Sequence, residues 1–168
     1  MNAAVWFGAT VFFTVGAGPA AFSQDMRSLL GEAYYPYFSG AIAQIVIARY
    51  FHLQLACGLV ALLHALAEWL YLGKRLRRFG LGLLMGLFAL ALVGGFWMQP
   101  KIKELHAARY AVNQPAAARE AKAKSLRLWH GAAQMVNLVM LAGLAVYVWR
   151  VAHPVSPTRF VSPIKFQG

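Results

Sequence analysis

Charge is what this sequence has least of. Asp, Glu, Lys and Arg make up only 12% of the 168 residues, about half the share of an ordinary soluble domain. With 60% hydrophobic residues, a water-soluble fold of this size would lack the polar surface it needs, whereas lipid solvates apolar side chains directly. Cysteine is nearly absent too. Cys57 stands alone, so neither an internal disulfide nor a Cys-x-x-Cys centre can form. The chain contains no P-loop, no glycine-rich dinucleotide fingerprint, no His-Glu-x-x-His and no nucleophile elbow. These absences remove the common soluble-enzyme chemistries and argue against catalysis without a bound cofactor.

What the chain has is long apolar runs. Crossing the hydrocarbon core takes about 20 apolar residues in a helix. Four runs meet that length, at about 3–22, 50–72, 79–98 and 128–151. The expected fold is therefore an all-α membrane protein, a four-transmembrane-helix bundle over residues 1–151, followed by an irregular, proline-containing tail over 152–168. No Lys or Arg precedes the first run, so it reads as a retained span rather than a signal peptide. Residues 39–48 are apolar but too short to span, which suits an interfacial helix or a lead-in to the second span. The tyrosines at 34, 35 and 37 suit the headgroup level. The stretch 101–126 is a polar loop interrupted by Pro115, with room for a helix outside the bilayer on each side of it. Gly82 and Gly86, and the pair Gly94-Gly95, are spaced for close helix contacts in lipid.

The net charge is +11, from 16 Lys and Arg against 5 Asp and Glu. It lies between the apolar runs, which points to the lipid bilayer and its anionic headgroups as partners, at roughly 1 kcal/mol per basic residue, and not to nucleic acid. The turn Gly73-Lys74-Arg75-Leu76-Arg77-Arg78 makes spans two and three antiparallel neighbours. It is also the densest short basic signal, and by the positive-inside rule it places both termini in the cytoplasm. A homo-oligomer or a partner in a membrane complex is compatible with this composition.

Two polar stripes stand out at membrane depth, where ionisable and hydrogen-bonding groups mark functional candidates. On span two, Cys57, Ala61, His64 and Glu68 share a narrow helical arc. Thiolate, imidazole and carboxylate together would begin a soft metal site for copper or zinc, or a proton-relay pair; alternatively, the His–Glu pair is a boundary feature and Cys57 an inert buried thiol. On span four, His130, Gln134 and Asn137 lie on one face. They suit either interhelical hydrogen bonding or the wall of a polar cavity, with His52 at the start of span two as a further candidate. Thr10 and Thr14 on span one can satisfy their hydroxyls against their own helix backbone. His106 and His153 fall outside the spans, where solvent is expected to reach them.

Several segments carry a family resemblance: Gly8, Phe12-Phe13-Thr14, Pro19 and Phe22-Ser23 in span one, then Tyr50-Phe51-His52, Gln99-Pro100-Lys101, and Trp129-His130-Gly131 with Asn137. Together they resemble the transmembrane-protein-205-like family, which includes a bacterial group known only as a domain of unknown function. The resemblance implies four spans and, from a eukaryotic relative associated with resistance to platinum drugs, export or trafficking of soft-metal compounds. This chain differs from that relative in the extra stretch 39–48 and in a shorter polar segment before span four. A looser similarity to copper-resistance-D-like four-helix proteins, some of which bind b-type haem, implies His52, His64 or His130 as axial ligands. Three readings follow: handling of a small solute or metal through a polar cavity between spans two and four, a haem-b redox protein of the membrane, or a structural subunit.

Overall fold

The computed structural model describes residues 1–72, 78–111 and 115–153. Four helical rods in it are long and apolar enough to cross a membrane: Asn2–Ala20, Gln24–Tyr71, Arg78–Arg109 and Ala116–Ala152. The protein is an all-α, multi-pass membrane protein. The first rod is α1 (Asn2–Phe12), a π-helical segment (Phe13–Ala17) and a short α2 (Gly18–Ala20). The second is α3 (Gln24–Leu72). The third is α4 (Arg78–Val93), a second π segment (Gly94–Met98) and α5 (Gln99–Arg109), and the fourth is α6 (Ala116–Ala152). Most of the basic turn, residues 73–77, and the tail beyond 153 lie outside the described residues.

Helix α3 has one break. Gly31 sits at φ 70°, ψ 154°, a conformation that only a residue without a Cβ visits cheaply. Arg27 reaches across the break to Glu32 at 3.4 Å. Pro36 follows close behind the restart, and its carbonyl accepts from Tyr110 Oη at 2.7 Å, which ties this part of α3 to the end of α5. From there α3 runs unbroken into the second span. Residues 39–48 are thus its lead-in and not a separate interfacial helix, with Ser39, Ala43 and Tyr50 buried along one side. The polar stretch 101–126 is likewise more ordered than a loop. Its two ends belong to α5 and α6, which pack side by side.

Aromatic and basic side chains mark the membrane boundaries. Trp97 and Trp129 meet edge to face, 5.2 Å between ring centroids, as expected at headgroup level. At the other end the Arg150 guanidinium lies 4.6 Å over the Phe79 ring. Between Trp129 and Arg150, α6 rises about 32 Å at 1.5 Å per residue, close to the hydrocarbon thickness. The core between these levels is Trp6, Cys57, Ala61, Leu84, Leu87, Ala91, Met140 and Leu144. Lipid gives no hydrophobic drive to association, so close packing has to hold the rods together. Glycines supply part of it. A Cβ at Gly58 would lie 2.7 Å from the Phe88 ring, and one at Gly143 would lie 2.9 Å from Leu87.

Two expectations need correcting. Among the described residues Gly82 and Gly86 mediate no close contact, since a Cβ at either meets nothing within 4 Å; the right spacing was present on an exposed face. The glycine that does serve in α4's rod is Gly94, where a Cβ would overlap the Phe51 ring. His106 lies on α5 beyond the Trp97 level, outside the hydrocarbon, yet it is not solvated. It is buried between Tyr37 (5.5 Å) and Tyr110 (5.1 Å), and set against Gly40, where a Cβ would overlap its ring. Burial holds its pKa below the ordinary 6.5, and the charge of Arg109 acts in the same direction.

Candidate functional site

The site begins with three side chains spaced four apart on the first rod, Trp6, Thr10 and Thr14. Thr10 Oγ1 donates to Trp6 O at 2.8 Å, and Thr14 Oγ1 donates to Thr10 O at 2.7 Å. This is the back-bonding expected of threonine in a membrane helix. It uses the hydroxyl protons but leaves the oxygen lone pairs, and these reach across to other helices. Gln54 Nε2 of α3 donates to Thr10 Oγ1 at 2.8 Å, and Asn137 Nδ2 of α6 donates to Thr14 Oγ1 at 2.8 Å. Trp6 Nε1 donates to Gln54 Oε1. Tyr50 Oη donates to Asn137 Oδ1 at 2.8 Å, while the Tyr50 ring stacks on Phe13 with centroids 4.0 Å apart.

Trp6 and Thr10 are 0% exposed and Gln54 is 1% exposed. Buried polar groups are tolerated in such a place when their hydrogen bonds are made. The result is an uncharged polar seam that fixes α1, α3 and α6 in one register.

Beside this seam, toward the Trp97–Trp129 level, lies a cavity of about 400 Å³. Met140, also a lining residue, lies eleven residues beyond Trp129, so the cavity reaches about 16 Å below the aromatic belt. Phe13, Thr14 and Ala17 of the first π segment form part of its wall, as do Gly94 and Met98 of the second. A π turn widens the helix by one residue and recurs at functional sites; here both such turns border the same space. Pro19, Phe22, Gln134 and Leu138 line the cavity and are exposed, so it opens between the end of the first rod and α6. The His130 ring meets Phe22 edge-on at 6.3 Å. Gln44 lines the cavity, and its Oε1 is buried with no hydrogen-bond partner among the described residues. Among the described lining residues none is Asp, Glu, Lys or Arg. The arrangement is equipped to bind and orient a molecule.

The structure gathers some of the sequence-predicted residues and separates others. His130, Gln134 and Asn137 all line the cavity. His52 does not: it is exposed, because two residues along a helix turn it about 200° from Tyr50. Cys57 is buried in the apolar core, His64 is exposed and Glu68 is half-buried. Among the described residues no three His, Cys, Asp or Glu side chains come together to hold a metal ion. The physical reason is height. Cys57 and Glu68 share an arc, but eleven residues separate them by about 16 Å along the axis. The three candidate haem ligands are also set apart. His52 and His64 stand about 18 Å apart along α3, and of the three His130 alone lines the space.

Trp6, Gln44, Tyr50 and Gln54 escaped sequence reading. Yet Gln54 and Tyr50 lie three and seven residues before Cys57, on the same arc, so extending that stripe toward the start of α3 would have found them.

The chain belongs to the family described as a domain of unknown function, DUF4149, whose family model matches residues 1–111. No curated protein and no solved structure matches it. The matched stretch contains the first three rods, and with them every cavity wall except that of α6.

Proposed function

We propose that this is an inner-membrane protein that takes up a small solute in the cavity between the first rod, α3 and α6 and hands it across or along the membrane, with both termini in the cytoplasm. The observation that carries this reading is the cavity itself. It lies within the range of small-molecule sites, is mostly apolar with a few fixed polar groups, and is already formed. The hydrogen-bonded seam below it supports the same reading, since it holds three walls without closing the space. The basic residues outside the spans fit contact with anionic headgroups. Copper, zinc or haem as the cargo or cofactor has less support, because Cys57, His64 and Glu68 are spread along α3 and, of the candidate haem ligands, the cavity is lined by His130 alone.

The test is native mass spectrometry of the protein in nanodiscs, compared with the variant Ala133→Trp, which places an indole in the cavity. The expected result is a stoichiometric small-molecule adduct on the unmodified protein that is lost in the variant. An adduct retained by both would place the site elsewhere. A Soret band or one equivalent of bound copper or zinc would replace this reading with the haem or metal one.

A further inference from the structure

We propose that the cavity's ligand is an uncharged molecule with an apolar body and a hydroxyl or amide hydrogen-bond donor, and that Gln44 Oε1 receives that donor. The inference rests on the cavity being a binding site, and it specifies the chemistry of what binds.

No described lining residue is acidic, Lys or Arg. An ion entering this space would give up its hydration without a fixed counter-charge, which is costly at low dielectric.

The donor follows from the hydrogen bonds already made. Asn137 uses its amide oxygen on Tyr50 and its amide nitrogen on Thr14. Thr14 gives its proton to Thr10 O, and Tyr50 gives its own to Asn137. These bonds tie Asn137, Thr14 and Tyr50 into the seam; Gln99, His130 and Gln134 also line the cavity, but none of their polar atoms is both buried and unmet among the described residues. Gln44 Oε1 is different: it is buried, lines the cavity and lacks a partner among the described residues. A buried acceptor left unmade is destabilising until something donates to it, and the space beside it is where that donor would come from.

The apolar body follows from the remaining walls. Phe13, Ile47, Phe51 and Met98 line the cavity, and the opening is flanked by Pro19, Phe22 and Leu138. Such a mouth, reaching to Leu138 about 14 Å along α6 from Trp129, admits an amphiphile from the lipid with its polar end toward Gln44.

The experiment uses the full chain in nanodiscs and four matched probes: 1-decanol, decyl methyl ether, decanoate and decylammonium. Equilibrium dialysis, corrected by empty nanodiscs, gives the affinity of each. Decanol is expected to bind about tenfold more tightly than the ether, the size of one hydrogen bond to an otherwise unmet buried acceptor, and the two ions are expected not to exceed empty discs. In Gln44→Leu, decanol is expected to fall to the level of the ether, with the ether unchanged.

If the ether or either ion binds the unmodified protein as well as decanol does, the inference is overturned while the binding site stands. A decanol preference that survives in Gln44→Leu overturns the assignment to Gln44. Retention of none of the four probes overturns the inference and the binding-site reading together. Should Gln44→Leu fail to fold, the four-probe comparison on the unmodified protein still decides the ligand class.

Discussion

The inner arc of α3 carries Tyr50, Gln54, Cys57, Ala61, His64 and Glu68, and its two ends behave differently. At the cavity end, Tyr50 and Gln54 are buried and bonded to side chains of two other helices. At the far end, His64 is exposed and no cluster of metal-binding groups forms among the described residues. The helical arc is common to both. What sets Tyr50 and Gln54 apart is that other helices present hydrogen-bonding groups to them at the same height. Thr10, Trp6 and Asn137 do so for the upper pair, and the seam follows from that coincidence of levels.

Substitutions along α3 and its partners put this contrast to the test, and the most damaging is expected to be Gln54→Leu. It strands the Trp6 indole N–H and removes the donor to Thr10, and should cost about 2 kcal/mol, read as a lower unfolding free energy in SDS titration of mixed micelles. A loss no greater than that of a surface change would erase the distinction between the two ends. Asn137→Leu comes next, at about 1 kcal/mol for two interhelical bonds. Combined with Tyr50→Phe in a double-mutant cycle, it should reveal a coupling of about 0.6 kcal/mol; strict additivity would mean that the Tyr50–Asn137 bond contributes nothing. The smallest effect is expected at the far end, where His64→Leu should leave stability within about 0.5 kcal/mol of the unmodified protein. A large loss there would show that the lower stripe is also a built site.

The architecture was legible because twenty-residue apolar runs have few alternatives in a chain this poor in charge. The span-four stripe was legible only in part: Asn137 bonds to two other rods, whereas Gln134 is exposed and the His130 ring meets Phe22. Which partners they find depends on how far each helix slides along its neighbour, and no single-helix pattern contains that. Thr10 and Thr14 show the limit well. Their protons are satisfied within their own helix, as expected, but the lone pairs that build the seam are spoken for by residues 44 and 123 positions away in sequence. Spacing fails as a guide for the same reason at Gly82 and Gly86, where the interval suits packing but the face looks outward. His106 was misjudged because the polar residues around it hid Tyr37, Gly40 and Tyr110, which enclose it.

The two π segments carry an implication for how such a cavity originates. Each is equivalent to an α-helix with one residue too many, and every side chain beyond it is turned by about 100° relative to an uninterrupted helix. A single-codon deletion within 13–17 or 94–98 would therefore do more than shorten a rod. It would restore regular winding, swing one wall to a new facing and redraw the chamber, so that gain or loss of one amino acid is the smallest genetic step between a hollow bundle and a solid one.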